Sequence, residues 1–327
     1  MKRRLASLAL ATALGLATFP AAAQQAQPQE PGFLRGPVRL IGAFAAGGTS
    51  DLITRILADQ LSTQLGTNVV VDVRTGGGGV VATQELVRAA PDGQTLLLAS
   101  MGIMTITPQM QQVPYDVERD IAPVANVGSV YNILVSGRDS GIRSWRDLVE
   151  KARAGRATCA TVGAGSSQQL SCILFGALTG VEITQVPYRG GAPAIIDIVA
   201  GRVDVMFGNM PEFLGQIRDG GLRALAYGAP SASPLIPELP VISRDGVPGF
   251  VIPSWFGIVL PGRTPPEVQA RWNAEINRAL ASPEVQRRFA DSGIMPVGGS
   301  REDFLRQIGQ DRERWGAIIR QHNIRAD

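Results

Sequence analysis

The sequence has few of the residues that most enzymes use for catalysis. Its 327 residues include one histidine, His322, and two cysteines. A serine hydrolase needs a histidine base beside its nucleophile, and a metal centre needs a cluster of ligands. His322 lies at the far C-terminus with no glutamate or cysteine cluster around it. The composition therefore favours a binding protein without catalytic residues, metal or cofactor, and leaves an exported α/β enzyme as a remote alternative.

The mature chain also lacks an excess of basic over acidic residues. The full sequence has 31 basic and 28 acidic residues, and Lys2, Arg3 and Arg4 supply the difference. These three residues begin a secretory signal, because the apolar stretch 5–19 and the small residues 21–23 follow them. A neutral chain has no electrostatic footprint for nucleic acid, so nucleic acid is not an expected partner.

The signal also predicts where the protein works. We expect cleavage near Ala23, a flexible mature N-terminus over residues 24–33, and a periplasmic location. A membrane anchor is the alternative reading, but the apolar stretch is too short to span a bilayer comfortably. No later segment is long and apolar enough to cross a membrane.

Two glycine-rich loops follow apolar runs in opposite halves of the chain. Residues 44–51 follow the strand predicted at 38–41, and residues 163–167 follow the one at 157–162. Each pattern predicts a strand, a tight turn and a helix start, and helix N-termini favour anions. Facing one another, two such ends would clasp a small acidic molecule. The second loop lacks the third glycine of a dinucleotide fingerprint, because Gln168 stands there.

The chain alternates predicted strands and helices throughout, which indicates an α/β fold with parallel sheets covered by helices. One βαβ block occupies the first third and a second one runs from about Ile133 to Ala226. We expect one lobe from residues 34–132 and 227–327, and a second lobe from residues 133–226. The chain would cross between the lobes near Tyr131-Asn132 and again near residues 226–229.

Several short motifs resemble those of the receptors of tripartite tricarboxylate transporters, the Bug or TctC family. They occur in the family's order over nearly all of the mature chain: Phe44-Ala45-Ala46-Gly47-Gly48-Thr49-Ser50-Asp51, Arg74-Thr75-Gly76-Gly77-Gly78-Gly79, Pro91-Asp92-Gly93-Gln94-Thr95-Leu96, Gly163-Ala164-Gly165-Ser166-Ser167, Pro187-Tyr188-Arg189-Gly190, Gly201-Arg202-Val203-Asp204 and Ser254-Trp255-Phe256-Gly257. The resemblance implies a two-lobed periplasmic-binding-protein fold with a ligand cleft between the lobes.

Three positions depart from the family pattern. Ala43 replaces a proline, Gln169 replaces a histidine, and Gly208-Asn209 stands where the family has Asp-Asn. Gln169 can donate a hydrogen bond but cannot become cationic. Gly208 removes a carboxylate near the cleft. These changes leave the fold as expected but prevent the transfer of any particular ligand from the family.

The motifs and the resemblance together predict the ligand-binding residues. They are Ala46, Gly47, Gly48, Asp51, Met101, Gly165, Ser166, Ser167, Gln169, Tyr188, Gly190, Gly191 and Asn209. Asp51 is expected mainly to cap its helix, and the two serines to combine capping with ligand contact. The ligand is expected to carry a carboxylate.

The two cysteines, Cys159 and Cys172, lie on a predicted strand and on the helix after it. In an oxidising compartment such a pair indicates a disulfide, with two buried free thiols as the alternative. For partners, the resemblance implies the membrane subunits of a tripartite tricarboxylate permease. A receptor feeding a membrane sensor kinase is the alternative function. We expect a monomer.

Overall fold

The computed structural model describes residues 34–321 and residue 324. The signal sequence, its cleavage site, residues 24–33 and His322 lie outside the described residues. The first block begins with β1 (Val38–Gly42), α1 (Thr49–Leu65), β2 (Val69–Val73), α2 (Val80–Arg88) and β3 (Thr95–Ser100). A π-helical turn (Gly102–Ile106), α3 (Thr107–Met110) and α4 (Val117–Asp120) lead into the long strand β4 (Ile121–Gly137).

The second block has the same alternation. It comprises α5 (Trp145–Arg153), β5 (Thr158–Thr161), α6 (Ser167–Thr179), β6 (Thr184–Pro187), α7 (Gly191–Val199), β7 (Val205–Asn209), a 3₁₀ turn (Met210–Glu212), α8 (Leu214–Arg218) and β8 (Leu222–Tyr227). The chain then returns through β9 (Pro253–Pro261), α9 (Pro266–Leu280), α10 (Pro283–Ser292), β10 (Met295–Pro296) and α11 (Arg301–Gln321).

The strands form one mixed sheet in the order β2-β1-β3-β9-β4-β7-β5-β6, with β8 and β10 also paired to β4. The βαβ strands pair in parallel, as β1 does with β2 and β3, and β5 does with β6 and β7. β9 runs antiparallel to both β3 and β4. The expected α/β class is therefore confirmed.

β4 changes partners halfway along its length. Tyr131 is its last residue paired with β9, and Asn132 is its first residue paired with β7. The change falls where the sequence predicts the first crossing between lobes. The described chain nevertheless packs as one compact unit, so the lobe boundaries stay a prediction.

Apolar side chains on both faces of the sheet bury it beneath the helices. On one side of the second block, Phe175, Phe207 and Phe250 pack with ring centroids 5.2–5.9 Å apart. In the first block, α1 and α9 cover the sheet with Ile53, Leu57 and the fully buried Trp272. This rigid packing fixes the positions of the loops at the strand ends. No described helix is long and apolar enough to span a bilayer.

Candidate functional site

The ends of several strands meet around one small cavity. Loops leave the carboxyl ends of β1, β3, β5, β6 and β7 on this side, where ligands bind in open α/β sheets. The cavity is lined by Phe44, Ala45, Gly48, Thr49, Ser50, Ser100, Gly102, Val162, Ser166, Ser167, Gln168, Gly190, Gly191, Asn209, Glu212, Ser254 and Phe256. The cavity volume is about 40 Å³. The described lining residues include no lysine or arginine.

The glycine loops of the two blocks touch one another beside the cavity. A Cβ atom on Gly190 would lie 2.9 Å from the Cβ atom of Ala45, and one on Gly102 would lie 2.5 Å from the carbonyl oxygen of Gly165. Gly190 also has a φ of 156°, which side chains rarely adopt. Glycine at these positions therefore allows the two halves of the chain to approach closely.

Three helix N-termini point into this space. α1, α6 and α7 have 17, 13 and 9 residues, and their N-cap residues Gly48, Ser166 and Gly190 all line the cavity. The first N–H groups of a helix have no intrahelical partner, and the helix dipole adds positive potential there. The cleft can therefore attract an anion through N–H groups and hydroxyls alone.

Ser166 shows how capping and ligand contact combine. Its Oγ accepts a hydrogen bond from the Gln169 amide at 3.1 Å, so it caps α6. The hydroxyl hydrogen is still free to be donated. Ser167 follows it, and both residues are buried and line the cavity.

Of the predicted ligand-binding residues, six line the cavity: Gly48, Ser166, Ser167, Gly190, Gly191 and Asn209. Ala46 and Gly47 belong to the adjoining loop but stay outside the lining. The expectation that Asp51 caps α1 is wrong, because the N-cap is Gly48 and Asp51 lies within the first turn of the helix. Asp51 accepts a hydrogen bond from the Gly47 amide at 3.1 Å and pairs with Arg55, so it orders this loop rather than lining the cavity.

Four further predicted residues also stay outside the lining. Gly165 donates its N–H to Gln169 Oε1 at 2.8 Å, which occupies both residues inside their own loop. Met101 is fully buried, and Trp315 donates its indole N–H to the Met101 sulfur. Tyr188 donates its hydroxyl to Asp197 at 2.7 Å. Burial is the larger cause that raises the pKa of Tyr188 to about 12, and the hydrogen bond to Asp197 adds to the rise.

Glu212 is a charged residue of the cavity lining that the motifs do not single out. Its Oε1 accepts hydrogen bonds from the Thr49 hydroxyl at 3.2 Å and from the Asn209 amide at 3.3 Å. Burial raises the pKa of Glu212 to about 7, although these two hydrogen bonds oppose the rise. The cleft therefore does contain a carboxylate, and it lies beside Gly208, where the sequence predicts that one was lost.

Three buried polar atoms of the cavity wall have no hydrogen-bond partner among the described residues. They are Ser50 Oγ, Asn209 Oδ1 and Glu212 Oε2. Buried polar groups are nearly always paired, so unpaired ones in a cavity indicate a place for a polar ligand or water. Within the described chain, no group of three or more histidine, cysteine or acidic residues is placed to hold a metal ion.

A disulfide joins Cys159 on β5 to Cys172 on α6, with Cα atoms 6.5 Å apart. Both residues are buried. The bridge closes a segment that includes the 163–167 loop and the start of α6. It therefore ties the helix that faces the cavity to the strand beneath it.

This arrangement of sheet, strand-end cleft and converging helix N-termini defines a solute-binding protein of the periplasmic type. Residues 53–324 match the family described as "Tripartite tricarboxylate transporter family receptor", or TctC, and the chain belongs to this family. The resemblance seen in the sequence motifs is thus confirmed. The family is one of receptors and not of enzymes.

Similarity to individual proteins supports the same family assignment. The chain is 36% identical to the protein BugT of Bordetella pertussis over 289 residues, which cover 87% of this chain and 89% of BugT. An R. palustris protein solved with adipate has a TM-score of 0.86 and 31% identity, over 89% of this chain and 98% of that one. The periplasmic binding protein BugD has a TM-score of 0.85 and 27% identity, over 89% and 99% of the two chains.

Proposed function

We propose that this protein is an extracytoplasmic receptor that captures a small carboxylate-bearing metabolite and delivers it to a tripartite tricarboxylate permease. The convergence of three helix N-termini on one cavity without cationic side chains carries this proposal. Such an environment stabilises a carboxylate through partial charges and hydrogen bonds. The R. palustris relative solved with adipate supports the same ligand class.

The ligand carboxylate is placed at the first turn of α6. Ser166 and Ser167 line the cavity there, and Gly190 lines it alongside them. The α1 loop closes the other end through Gly48 and Thr49. Binding needs no catalytic step, cofactor or metal in this scheme.

The cleft lies between two lobes, residues 34–132 with 227–327, and residues 133–226. The change of partners along β4 and the return of the chain after β8 support this division. The hydrogen bond from Thr49 to Glu212 joins the lobes across the cleft. The ligand stabilises the closed form because only that form brings both walls into contact with it.

Export follows from the N-terminal signal, with cleavage near Ala23 and a periplasmic monomer as the mature product. The membrane subunits of the permease then receive the closed, loaded receptor. The open and closed forms present different receptor surfaces, so those subunits can distinguish the ligand-bound receptor from the empty one.

The test is recovery of ligand from protein extracted from the periplasm, by native mass spectrometry, followed by calorimetry with small mono- and dicarboxylates and amino acids. A retained or titrated carboxylic acid that binds at one site without added metal supports the proposal. If the protein retains only a neutral sugar or amine and no acid binds, the proposed function is refuted.

A further inference from the structure

The carboxylate of Glu212 is held in the cleft with one oxygen unpaired. Oε1 receives hydrogen bonds from Thr49 and Asn209, whereas Oε2 is buried and has no partner. Glu212 belongs to the 3₁₀ turn after β7, and this turn brings its side chain against the start of α1. Glu212 lines the cavity, so an unpaired acceptor atom lies in its wall beside the predicted carboxylate site.

Two glycines make the space that this oxygen occupies. A Cβ atom on Gly191 would lie 2.9 Å from Oε2, and one on Gly208 would lie 3.2 Å from it. Neither glycine has a positive φ, so the backbone conformation does not require glycine at either place. A Cβ atom on Gly208 would also collide with Phe213. The wall is thus shaped to admit a carboxylate at this point.

No cation of the described cavity wall balances this carboxylate. The groups that contact it come from Thr49 on α1, Gln168 on α6, Asn209 after β7 and Gly191 on α7, and all are uncharged. The acids on the helices packed around it are already paired, Asp51 of α1 with Arg55 and Asp197 of α7 with Arg202. A buried carboxylate without a partner is unfavourable, so it either takes up a proton or receives a charged or hydrogen-bonding group of the ligand.

We propose that Glu212 Oε2 receives the ammonium group of an amino acid whose carboxylate lies at the N-terminus of α6. This assignment rests on the proposed carboxylate site and adds the second half of the ligand. It separates this protein from the R. palustris relative solved with adipate, because adipate carries two carboxylates and no ammonium. A second ligand carboxylate beside Glu212 would repel it unless a proton bound between them.

Calorimetry with matched probes tests the ligand class. The probes are glycine, L-alanine, β-alanine and 4-aminobutyrate, their counterparts acetate, propionate and butyrate, and the dicarboxylates malonate, succinate and adipate. The best amino acid should bind at least about tenfold more tightly than the counterpart without the amino group, as expected for a hydrogen bond between charged groups. Tighter binding of a dicarboxylate overturns the assignment of Glu212 but leaves the proposed function intact. If no probe binds, the assignment of Glu212 fails, whereas the proposed function fails only if the protein also retains no acid from the periplasm.

The variant Glu212→Gln tests the residue itself. It should bind the best amino acid about tenfold to a hundredfold more weakly and change the affinity for the counterpart without the amino group less than threefold. Glu238→Gln, at an exposed position outside the cavity, removes the same charge and should change neither affinity. Thermal melting checks that both variants fold. Equal amino acid affinity in wild type and Glu212→Gln overturns the assignment.

Proton exchange on binding gives an independent readout. At pH 6 the empty site is largely protonated, because burial raises the pKa of Glu212 to about 7. An ammonium group favours the ionised carboxylate, so binding should release a proton and strengthen as the pH rises to 8. Calorimetry at pH 6 in buffers with different ionisation enthalpies measures this release. Binding without proton release at this pH would mean that a protonated Glu212 receives a ligand carboxylate, which contradicts the proposal.

Discussion

Replacing Ser166 with alanine tests the placement of the ligand carboxylate. The hydroxyl of Ser166 caps α6 through the Gln169 amide and also lines the cavity. Loss of the cap should reduce the free energy of unfolding by about 1 kcal/mol. Loss of a hydrogen bond to a charged ligand should cost a further 1.5–3 kcal/mol or so in binding. That loss corresponds to roughly a tenfold to hundredfold rise in Kd.

The chain offers a matched control for the capping effect. Ser144 caps α5 in the same way, since its hydroxyl accepts a hydrogen bond from the Asp147 amide at 3.2 Å. It lies outside the cavity lining. Ser144→Ala should therefore lower stability by a similar amount, about 1 kcal/mol, and leave ligand affinity unchanged.

The assay is calorimetry with the tightest acid found for the wild type, together with urea unfolding of all three proteins. The two variants should match in stability and differ in affinity. If Ser166→Ala binds the acid as tightly as Ser144→Ala does, the carboxylate does not contact Ser166. The proposed position of the ligand at the N-terminus of α6 is then incorrect.

The other predictions concern the opposite wall, the disulfide, the buried acid and closure. Gly48→Val should weaken binding at least tenfold in calorimetry without unfolding the protein, because its Cβ finds space but the longer side chain enters the cavity. Exported protein should show no free thiol on titration in denaturant, and two titratable thiols would contradict the disulfide. The double variant Cys159→Ser with Cys172→Ser should lower the free energy of unfolding by about 3 kcal/mol. Since the folded pKa of Glu212 is raised from 4.5 to about 7, the ligand-free protein should lose at most about 3 kcal/mol as the pH rises through that window, and Glu212→Gln should flatten the profile in urea unfolding. Small-angle scattering should show a smaller radius of gyration with ligand than without it, and equal radii would argue against hinge closure.

Local patterns in the sequence predict the βαβ units well. The strand predicted at 38–41 is β1, and the helix expected to begin at Asp51 begins at Thr49. The sequence predicts a helix over residues 166–180, and α6 spans Ser167–Thr179 because Ser166 and Gly180 supply its caps. These elements are specified by residues that are close together in the sequence.

Elements specified by distant partners escape such patterns. Only residues 133–135 of the 17-residue strand β4 are predicted, since Pro123 and Gly128 interrupt its first part. This strand is fixed by pairing with β7, β8 and β9, which come later in the chain. Helix α10, residues 283–292, was likewise not predicted, because it is short and follows α9 directly.

The site residues also divide into those specified by nearby residues and those specified by distant partners. The cap at Ser166 follows from its strand-loop-helix pattern, whereas the N-cap of α1 is Gly48 and not the expected Asp51; Gly48 and Ser166 both line the cavity. Glu212 could not be found this way, because its side chain is directed by a short 3₁₀ turn and by contact with Thr49, which is 163 residues away in the sequence. An acidic residue just after a strand-end asparagine was the one available signal.

The charges of the cleft limit which molecules it can hold. Each helix N-terminus supplies about half a positive charge, so α1, α6 and α7 together supply about one and a half. A single ligand carboxylate is well compensated by this potential. Adding an ionised Glu212 brings two negative charges into one small cavity and exceeds the compensation. Either the ligand carries a cation to Glu212 or Glu212 takes up a proton, so the protonation of this residue and the charge of the ligand are coupled.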